Sequence, residues 1–379
     1  MNRRKIRIML YICICATILT TYIMITAQTG EEINKNRDNG MANTSGPRQS
    51  AYVQDNNGPI PVIILTYMRS GSSFLGEILQ ANSDTFYWFE PVHELWGLYK
   101  ADNHKQFDFK DGTKRAFKTF LDLAIPTIRN ISTCELESLP MGALREQFLS
   151  KSEQMKEFVN CRGYEEHGHT TNKKLIRCLP DLNTKCLQSK HIVIKTIRIR
   201  MKSLGNILEK IPSLKVIHLM RDPRGTFRSQ KVVGQLSKQN YRTEIYGLCN
   251  QIYKDILERE SLHEKYPGRI RTVFYEDVAN NPIVYSKSLY YYLGMNFTSD
   301  VEKTIFGFTL AGKSGSKKCG ILCTQMANSS QEASNWRDEI SMELVKIVDN
   351  ACSDLYNKIG YKSILNETEL RNKKYTLRK

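Results

Sequence analysis

The chain has 379 residues, of which 41% are hydrophobic and 25% are charged. With only 22 Gly and 11 Pro, this composition excludes collagen and broad low complexity, and the length excludes a miniprotein held together by disulfides alone. The mean hydropathy of −0.43 excludes a protein with many membrane spans. The formal net charge of +16 favours an acidic ligand or a polyanionic partner, although a solvated basic surface would explain it equally well.

A membrane anchor is predicted near the amino end. Residues 8–27 are uncharged and apolar, and as a helix they would cross about 30 Å, the thickness of a bilayer's hydrocarbon core. Residues 1–7 are basic and form the predicted cytoplasmic tail, so the rest of the chain is expected in the lumen. A cleaved signal peptide is the alternative, but 25–27 is a poor cleavage site. Residues 28–58, rich in Asn, Gly, Gln and Asp, predict a flexible stem.

Sequons and cysteines agree with a lumenal body. Eight cysteines follow the anchor, an even number that would permit complete disulfide pairing in an oxidising compartment. A zinc site at Cys319 and Cys323 is the alternative, but no second cysteine pair or nearby His supports it. The sequons are at Asn43, Asn130, Asn296, Asn328 and Asn366.

From residue 59 onward, predicted strands alternate with predicted helices. The apolar run 62–65 predicts a buried strand, followed by a Gly/Ser turn and a helix from Ser72. Further strand-then-helix units are predicted at 191–199 and 201–208, at 214–220 and from 224, and at 271–275 and 282–293. This alternation predicts an α/β fold with a largely parallel sheet.

The predicted domain spans residues 59–361, with a basic tail at 362–379. Residues 100–190 do not share the alternation and contain four cysteines, so we expect an insertion or a lid there.

The first candidate site is the turn at residues 66–74, TYMRSGSSF. A turn between a strand and a helix exposes backbone N–H groups, and these donors together with the helix dipole favour phosphate or sulfate. Arg69 adds a permanent charge and Ser70, Ser72 and Ser73 add hydroxyl groups. The turn is not a Walker A loop, because the G-x-x-x-x-G-K-[ST] pattern is absent.

The second candidate site repeats this arrangement. Arg221 follows a predicted strand, and Ser229 comes eight residues later, about two turns into the next helix. Both residues could therefore close on one phosphate at the carboxyl ends of the strands, where open α/β sheets bind ligands.

These motifs resemble those of the Golgi carbohydrate sulfotransferases, in particular the galactose/N-acetylglucosamine/N-acetylgalactosamine 6-O-sulfotransferases that include the keratan and chondroitin enzymes. The RSGSSF run at 69–74 is similar to their 5′-phosphosulfate loop, and the RDPR run at 221–224 with Ser229 is similar to their 3′-phosphate motif. Three shorter motifs also occur at expected places: FEP at 89–91, YED at 275–277 and WR at 336–337.

The resemblance implies a P-loop-like sulfotransferase fold that uses 3′-phosphoadenosine 5′-phosphosulfate (PAPS), with a glycan or glycosaminoglycan acceptor and O6 as the target hydroxyl. It also implies a single-pass Golgi membrane protein with a lumenal catalytic domain. Neither a metal ion nor nucleic acid is expected, and a homodimer stays open. Donor-binding residues are then expected at Arg69, Ser70, Gly71, Ser72, Ser73, Phe74, Arg221, Ser229 and Trp336.

The transfer needs stabilisation of the leaving group and a base. Sulfuryl transfer resembles phosphoryl transfer, with charge growing on the bridging oxygen, and Arg69 could neutralise that charge. Glu90 follows the aromatic run 86–89, and apolar surroundings strengthen a carboxylate as a base. His93 is the rival base on an expected common helical face, and a structural histidine is its alternative.

Several other residues have two interpretations. Lys195, Arg198, Arg200 and Lys202 could line an acceptor groove or form a solvated face, and Trp336 could stack on adenine or a sugar or be a buried core residue. Glu276 and Asp277 are expected to make structural hydrogen bonds.

Two other functions compete with sulfuryl transfer. A lumenal ATP-dependent kinase would want a Walker lysine and metal-binding acids, and neither is apparent near the loop. A non-catalytic glycan-binding protein would be expected to have lost Arg69, Arg221 or Ser229, and all three are present.

Overall fold

The computed structural model describes residues 58–163, 170–310 and 328–379. The predicted cytoplasmic tail, the anchor at 8–27, the stem before residue 58, and Cys319 and Cys323 lie outside the described residues. Within the described ranges, no helix is both long enough and apolar enough to cross a bilayer.

A five-stranded parallel sheet forms the centre of the described chain. Its strands are β1 (Ile60–Leu65), β2 (Thr85–Phe89), β5 (His191–Thr196), β6 (Lys215–Met220) and β7 (Ile270–Phe274), in the order β2-β5-β1-β6-β7. A separate antiparallel pair consists of β3 (Gln106–Asp108) and β4 (Lys114–Ala116). The predicted α/β fold with a central parallel sheet is confirmed.

Helices surround this sheet, and three short 3₁₀ helices lie at Leu136–Ser138, Gln147–Lys151 and Glu153–Met155. In the first half of the chain the α-helices are α1 (Ser72–Gln80), α2 (His93–Ala101), α3 (Phe120–Ser132), α4 (Met141–Leu144), α5 (Lys156–Arg162), α6 (Asn172–Gln188), α7 (Met201–Lys210) and α8 (Pro223–Val232). In the second half they are α9 (Tyr241–Lys265), α10 (Tyr275–Asn280), α11 (Pro282–Leu293), α12 (Ser299–Thr309), α13 (Ser329–Ser334), α14 (Trp336–Glu339), α15 (Met342–Ala351), α16 (Ser353–Ile359) and α17 (Glu367–Arg371).

Alternate side chains of the strands enter two different cores, as the period of a strand requires. Ile63 of β1 packs in one core with α3, α6 and α7, whereas its neighbour Ile64 packs in another with α1, α10 and α11. The strands are apolar on both sides because helices cover both faces of the sheet.

One strand of the sheet was not predicted from the sequence, and one predicted strand is shorter than expected. The aromatic run before Glu90 is β2, an edge strand with all five residues buried, which sequence analysis did not assign as a strand. The strand predicted at 191–199 ends at Thr196, because the chain bends there and Arg198 turns toward Glu90.

The predicted insertion or lid at 100–190 contributes apolar side chains to the core on one face of the sheet. Disulfides join Cys134 to Cys186 and Cys161 to Cys178 within this segment. A third disulfide joins Cys249 of α9 to Cys352.

The basic segment 362–379 packs against the domain. Arg337 donates hydrogen bonds to four of its backbone carbonyls, and Tyr361 pairs with Arg378 in an antiparallel bridge. The division of the chain into domains stays a prediction.

Candidate active site

A cavity of about 630 Å³ lies where β1, β2, β5 and β6 end. Five cationic side chains and three carboxylates line it, so its charge favours an anion. Its volume is in the range of small-molecule sites. The predicted site residues that line it are Arg69, Gly71, Ser72, Ser73, Phe74, Glu90, His93, Arg221, Ser229 and Trp336.

Ser70 is the predicted site residue that does not line this cavity. Its side chain is buried, and its N–H donates to the carbonyl of Tyr67 within the turn. The residue therefore shapes the turn rather than presenting its hydroxyl to the cavity.

The turn between β1 and α1 is held in an uncommon conformation. Arg69 has a φ of 67° and Gly71 a φ of 84°, both in the left-handed region. A Cβ atom at Gly71 would collide with the ring of Tyr275, so only glycine fits there. Strain of this kind at Arg69 is typical of functional turns.

The two predicted anion motifs meet in what we call the Arg69 cluster, formed by Arg69, Arg221 and Ser229. Arg69 Nε donates to Ser229 Oγ at 2.9 Å, and Arg221 Nη1 donates to the carbonyl of Arg69 at 3.1 Å. They meet because β1 and β6 are neighbours in the sheet, with Leu65 aligned to His218. The sequence predicted that these motifs converge, but not that Arg69 and Ser229 are in direct contact.

Positive charge is concentrated in this cluster. Burial, and then the nearby charge of Arg221, lower the pKa of Arg69. The Arg221 guanidinium lies over the Tyr275 ring, 4.7 Å from its centroid. Arg221 Nε is a buried donor without a hydrogen-bond partner among the described residues, which fits an anionic ligand that would accept from it.

Helix α8 places Ser229 beside Arg69, and contacts at its amino-terminal end hold the helix in position. Asp222 caps the helix and also accepts from the fully buried guanidinium of Arg224. Gly225 lets the Trp336 ring approach the helix closely, since a Cβ there would lie 2.9 Å from Trp336 Cδ1. Trp336 is only 4% exposed, so it is a core residue whose edge reaches the cavity.

The predicted motif at 275–277 acts as a structural support. Glu276 Oε1 accepts from the N–H of Asp222 at 2.9 Å, and its Oε2 accepts from the Tyr361 hydroxyl. Burial raises the pKa of Glu276. Asp277 contacts Arg378, so the expectation that both acids make structural hydrogen bonds is confirmed.

A second group, which we call the Glu90 cluster, consists of Glu90, Lys195 and Arg198. Lys195 Nζ lies 2.5 Å from Glu90 Oε1, and Arg198 Nη1 lies 2.5 Å from Glu90 Oε2. Glu90 is 2% exposed and has a φ of 52°. Each carboxylate oxygen is thus engaged by one cation.

Lys195 and Arg198 line the cavity, as the interpretation of an acceptor groove requires. Lys195 is buried and lies over the Phe89 ring, 4.3 Å from its centroid, so it does not belong to a solvated face. Burial lowers the pKa of Lys195, while Glu90 opposes that shift and the charge of Arg69 adds to it. Farther along, Arg200 contacts Asp255 at 3.6 Å, away from the Glu90 cluster.

His93 does not share a helix with Glu90, contrary to the sequence prediction. Glu90 follows β2, which ends at Phe89, and α2 begins at His93. His93 Nδ1 lies 3.3 Å from Glu146 Oε1, and the ring centroids of His93 and Phe148 are 4.8 Å apart. Sequence analysis missed Glu146 and Phe148, because nothing in the local pattern around them indicates a site 53 residues away.

Comparison with known proteins identifies the family of the chain. The sulfotransferase family pattern matches residues 61–299, and the chain belongs to that family. Carbohydrate sulfotransferase 1 of Danio rerio is 26% identical over 83% of this chain and 81% of that protein. Carbohydrate sulfotransferase 3 of Homo sapiens is 28% identical over 83% of this chain and 70% of that protein.

Solved structures show a more distant likeness. The sulfotransferase domain from the Synechococcus PCC 7002 olefin synthase aligns over 79% of this chain and 96% of that chain, with 17% identity and a TM-score of 0.44. In the part of the chain that the structure describes, no group of three side chains is arranged to hold a metal ion.

Proposed function

We propose that this protein transfers a sulfuryl group from PAPS to a hydroxyl group of a sugar. The single observation that carries the proposal is the contact between the two anion motifs in one cavity, Arg69 with Ser229 and with Arg221. Family membership and the names of the carbohydrate sulfotransferase relatives agree with it.

The Arg69 cluster would bind the donor. Backbone N–H groups of the turn at 71–73 and the Arg69 guanidinium would hold the 5′-phosphosulfate. Arg221 and Ser229 would hold the 3′-phosphate, and the edge of Trp336 would border the nucleoside. PAPS supplies the sulfuryl group and a phosphate leaving group.

Catalysis would come mainly from charges that are already in place. As the bond from sulfur to the bridging oxygen breaks, negative charge grows on that oxygen. Arg69 is held by Ser229 and by its own strained turn, so it can meet this charge without reorganising. The sugar would approach from the Glu90 cluster and His93, which line the same cavity.

We further propose O6 of Gal, GalNAc or GlcNAc as the acceptor hydroxyl. A Golgi location as a single-pass protein with a lumenal domain is proposed from the apolar stretch 8–27 and the sequons.

One experiment tests the donor assignment. The full-length protein is titrated by calorimetry with adenosine 3′,5′-bisphosphate and, as the matched control, with AMP. We expect the bisphosphate to bind at least about tenfold more tightly, because only it offers a second phosphate to Arg221 and Ser229. Equal affinities would contradict the proposal.

A second experiment tests the acceptor. The full-length protein is incubated with labelled PAPS and a panel of desulfated glycosaminoglycans and mucin-type sugars, and the product is analysed for the position of sulfate. Sulfate at O6 is expected. Sulfate only at O2, O3 or O4 would contradict the 6-O assignment while leaving the sulfotransferase proposal intact.

A further inference from the structure

Two groups near the acceptor could take its proton, Glu90 and His93, and their surroundings differ. Both Glu90 oxygens are in ion pairs at 2.5 Å, with Lys195 and Arg198. A base must offer a lone pair to the hydroxyl within hydrogen-bond distance. Taking up that proton would neutralise Glu90 and leave the two cations without their counter-charge, which is costly in a buried site.

His93 has the opposite character. Its side chain is about 29% exposed and lines the cavity. Nδ1 is engaged by Glu146, and among the described residues Nε2 has no hydrogen-bond partner. An imidazole held at one nitrogen and open at the other has the form of a general base with an orienting carboxylate.

The carboxylate of Glu146 is held in a position from which it can orient that imidazole. It is fully buried, and its carboxylate accepts from the N–H of Glu94 at 2.6 Å and from the N–H of Phe148 at 3.2 Å. These backbone donors fix both oxygens and leave Oε1 directed at His93. Phe148 packs on the imidazole and on Phe89, with ring centroids 4.8 and 5.2 Å apart, so the ring of His93 has a fixed position.

We infer that His93 is the general base for the acceptor hydroxyl and that Glu146 is the residue that positions it. The inference rests on the proposed function and deepens it. Glu90 then has a different role, because it holds Lys195 and Arg198 at the cavity.

The step balances without another reactant. The acceptor O–H gives its proton to His93 Nε2 as the oxygen lone pair attacks sulfur. The bond between sulfur and the bridging oxygen of PAPS breaks, and its electron pair leaves on the phosphate of 3′-phosphoadenosine 5′-phosphate. His93 afterwards releases its proton to water.

Other charged groups near His93 bear on its pH dependence. Glu94 is on the same helix, Glu146 precedes the 3₁₀ helix at Gln147–Lys151, and the Glu90 cluster stands at the ends of β2 and β5. The pH profile must therefore be compared between variants that differ in one of these groups at a time.

The first test uses full-length His93→Gln, which keeps a polar side chain of similar reach. We expect kcat to fall by about 10²-fold or more, with the KM for PAPS unchanged and the acidic limb of the pH–rate profile lost. Added imidazole should restore part of the turnover of His93→Ala. Glu94→Gln, on the same turn of α2, is the matched control and should keep kcat and the acidic limb, because His93 and Glu146 are intact.

The second test concerns Glu146. Glu146→Gln should lower kcat by about tenfold with little change in either KM, and Glu146→Asp should recover part of the loss. Circular dichroism and binding of adenosine 3′,5′-bisphosphate confirm that each variant is folded. If Glu146→Gln does not fold, the Asp variant and the imidazole rescue of His93→Ala still decide between the two bases.

Wild-type turnover with an intact acidic limb in His93→Gln would overturn the inference, as would loss of that limb in Glu90→Gln alone. These outcomes differ from failure of the proposed function, in which the wild-type protein itself would not bind the bisphosphate or transfer sulfate.

Discussion

The Arg69 cluster and the Glu90 cluster line the same cavity but are built in different ways. Arg69 is held by hydrogen bonds to the neutral Ser229 hydroxyl and from Arg221 to its carbonyl, whereas Glu90 is held by two buried ion pairs. The first arrangement joins two cations through hydrogen bonds to neutral groups, whereas the second pairs two cations with one buried carboxylate. Changes at Arg69 should therefore affect activity, and changes at Glu90 should affect the fold as well.

The largest expected effect is that of Arg69→Ala. Removing the guanidinium takes away the charge proposed to meet the leaving oxygen, so kcat should fall by about 10³-fold. The free energy of unfolding, measured with a denaturant, should change little, because Arg69 lies in a turn. Arg242→Ala, which removes an exposed cation outside the cavity, is the control and should keep full turnover. Near-normal turnover in Arg69→Ala would contradict the electrostatic role.

Glu90→Gln should have the largest effect on stability. It leaves Lys195 and Arg198 without their carboxylate, and breaking a buried pair costs about 3 kcal/mol of unfolding free energy. Asp84→Asn is the matched control, because Asp84 pairs with Lys190 at the other ends of the same two strands. That pair is exposed, so its loss should cost under about 1 kcal/mol. If Glu90→Gln and Asp84→Asn lost the same free energy of unfolding in urea, the buried ion pairs of Glu90 would stabilise the fold no more than an exposed pair does.

The same contrast explains what the sequence could predict. The Arg69 cluster was predictable because each half is a local motif, an arginine after a buried strand, and adjacent parallel strands bring such ends together. The Glu90 cluster was not, since it depends on β2 pairing with β5 across 105 residues. Glu146 gives no local signal at all, because its contact with His93 depends on how residues 100–190 pack.

Ser229→Ala should have a smaller effect, mainly on donor affinity. The variant loses the oxygen that accepts from Arg69 Nε, and a hydrogen bond to a charged group corresponds to about tenfold or more in affinity. Calorimetry with adenosine 3′,5′-bisphosphate measures this loss of affinity. In a double-mutant cycle with Arg69→Ala, the two losses should not add, because the side chains act on the same contact. Additive losses would mean that they bind separately.

The smallest expected effect is that of one pH unit on the free energy of unfolding. It should arise at His218, which contacts the turn that carries Arg69. Tyr67 lies in the β1 turn, and its hydroxyl is 2.9 Å from His218 Nε2 and donates to Asp255. Burial lowers the pKa of His218 from 6.5 to about 3. The unfolded chain therefore binds a proton at His218 below pH 6.5 that the folded chain does not bind until about pH 3. This contribution to stability is complete above pH 6.5 and falls by about 1.4 kcal/mol for each pH unit below it.

Burial raises the pKa of Asp255 and Asp349, so these acids change the stability with the opposite sign. The measurement is therefore the difference in unfolding free energy between the wild-type protein and His218→Gln, followed from pH 7 to pH 4. The wild-type protein should lose stability relative to the variant as the pH falls, because only the wild type carries the buried imidazole. A constant difference across this range would show that the imidazole of His218, which contacts Tyr67 in the turn bearing Arg69, is not held neutral.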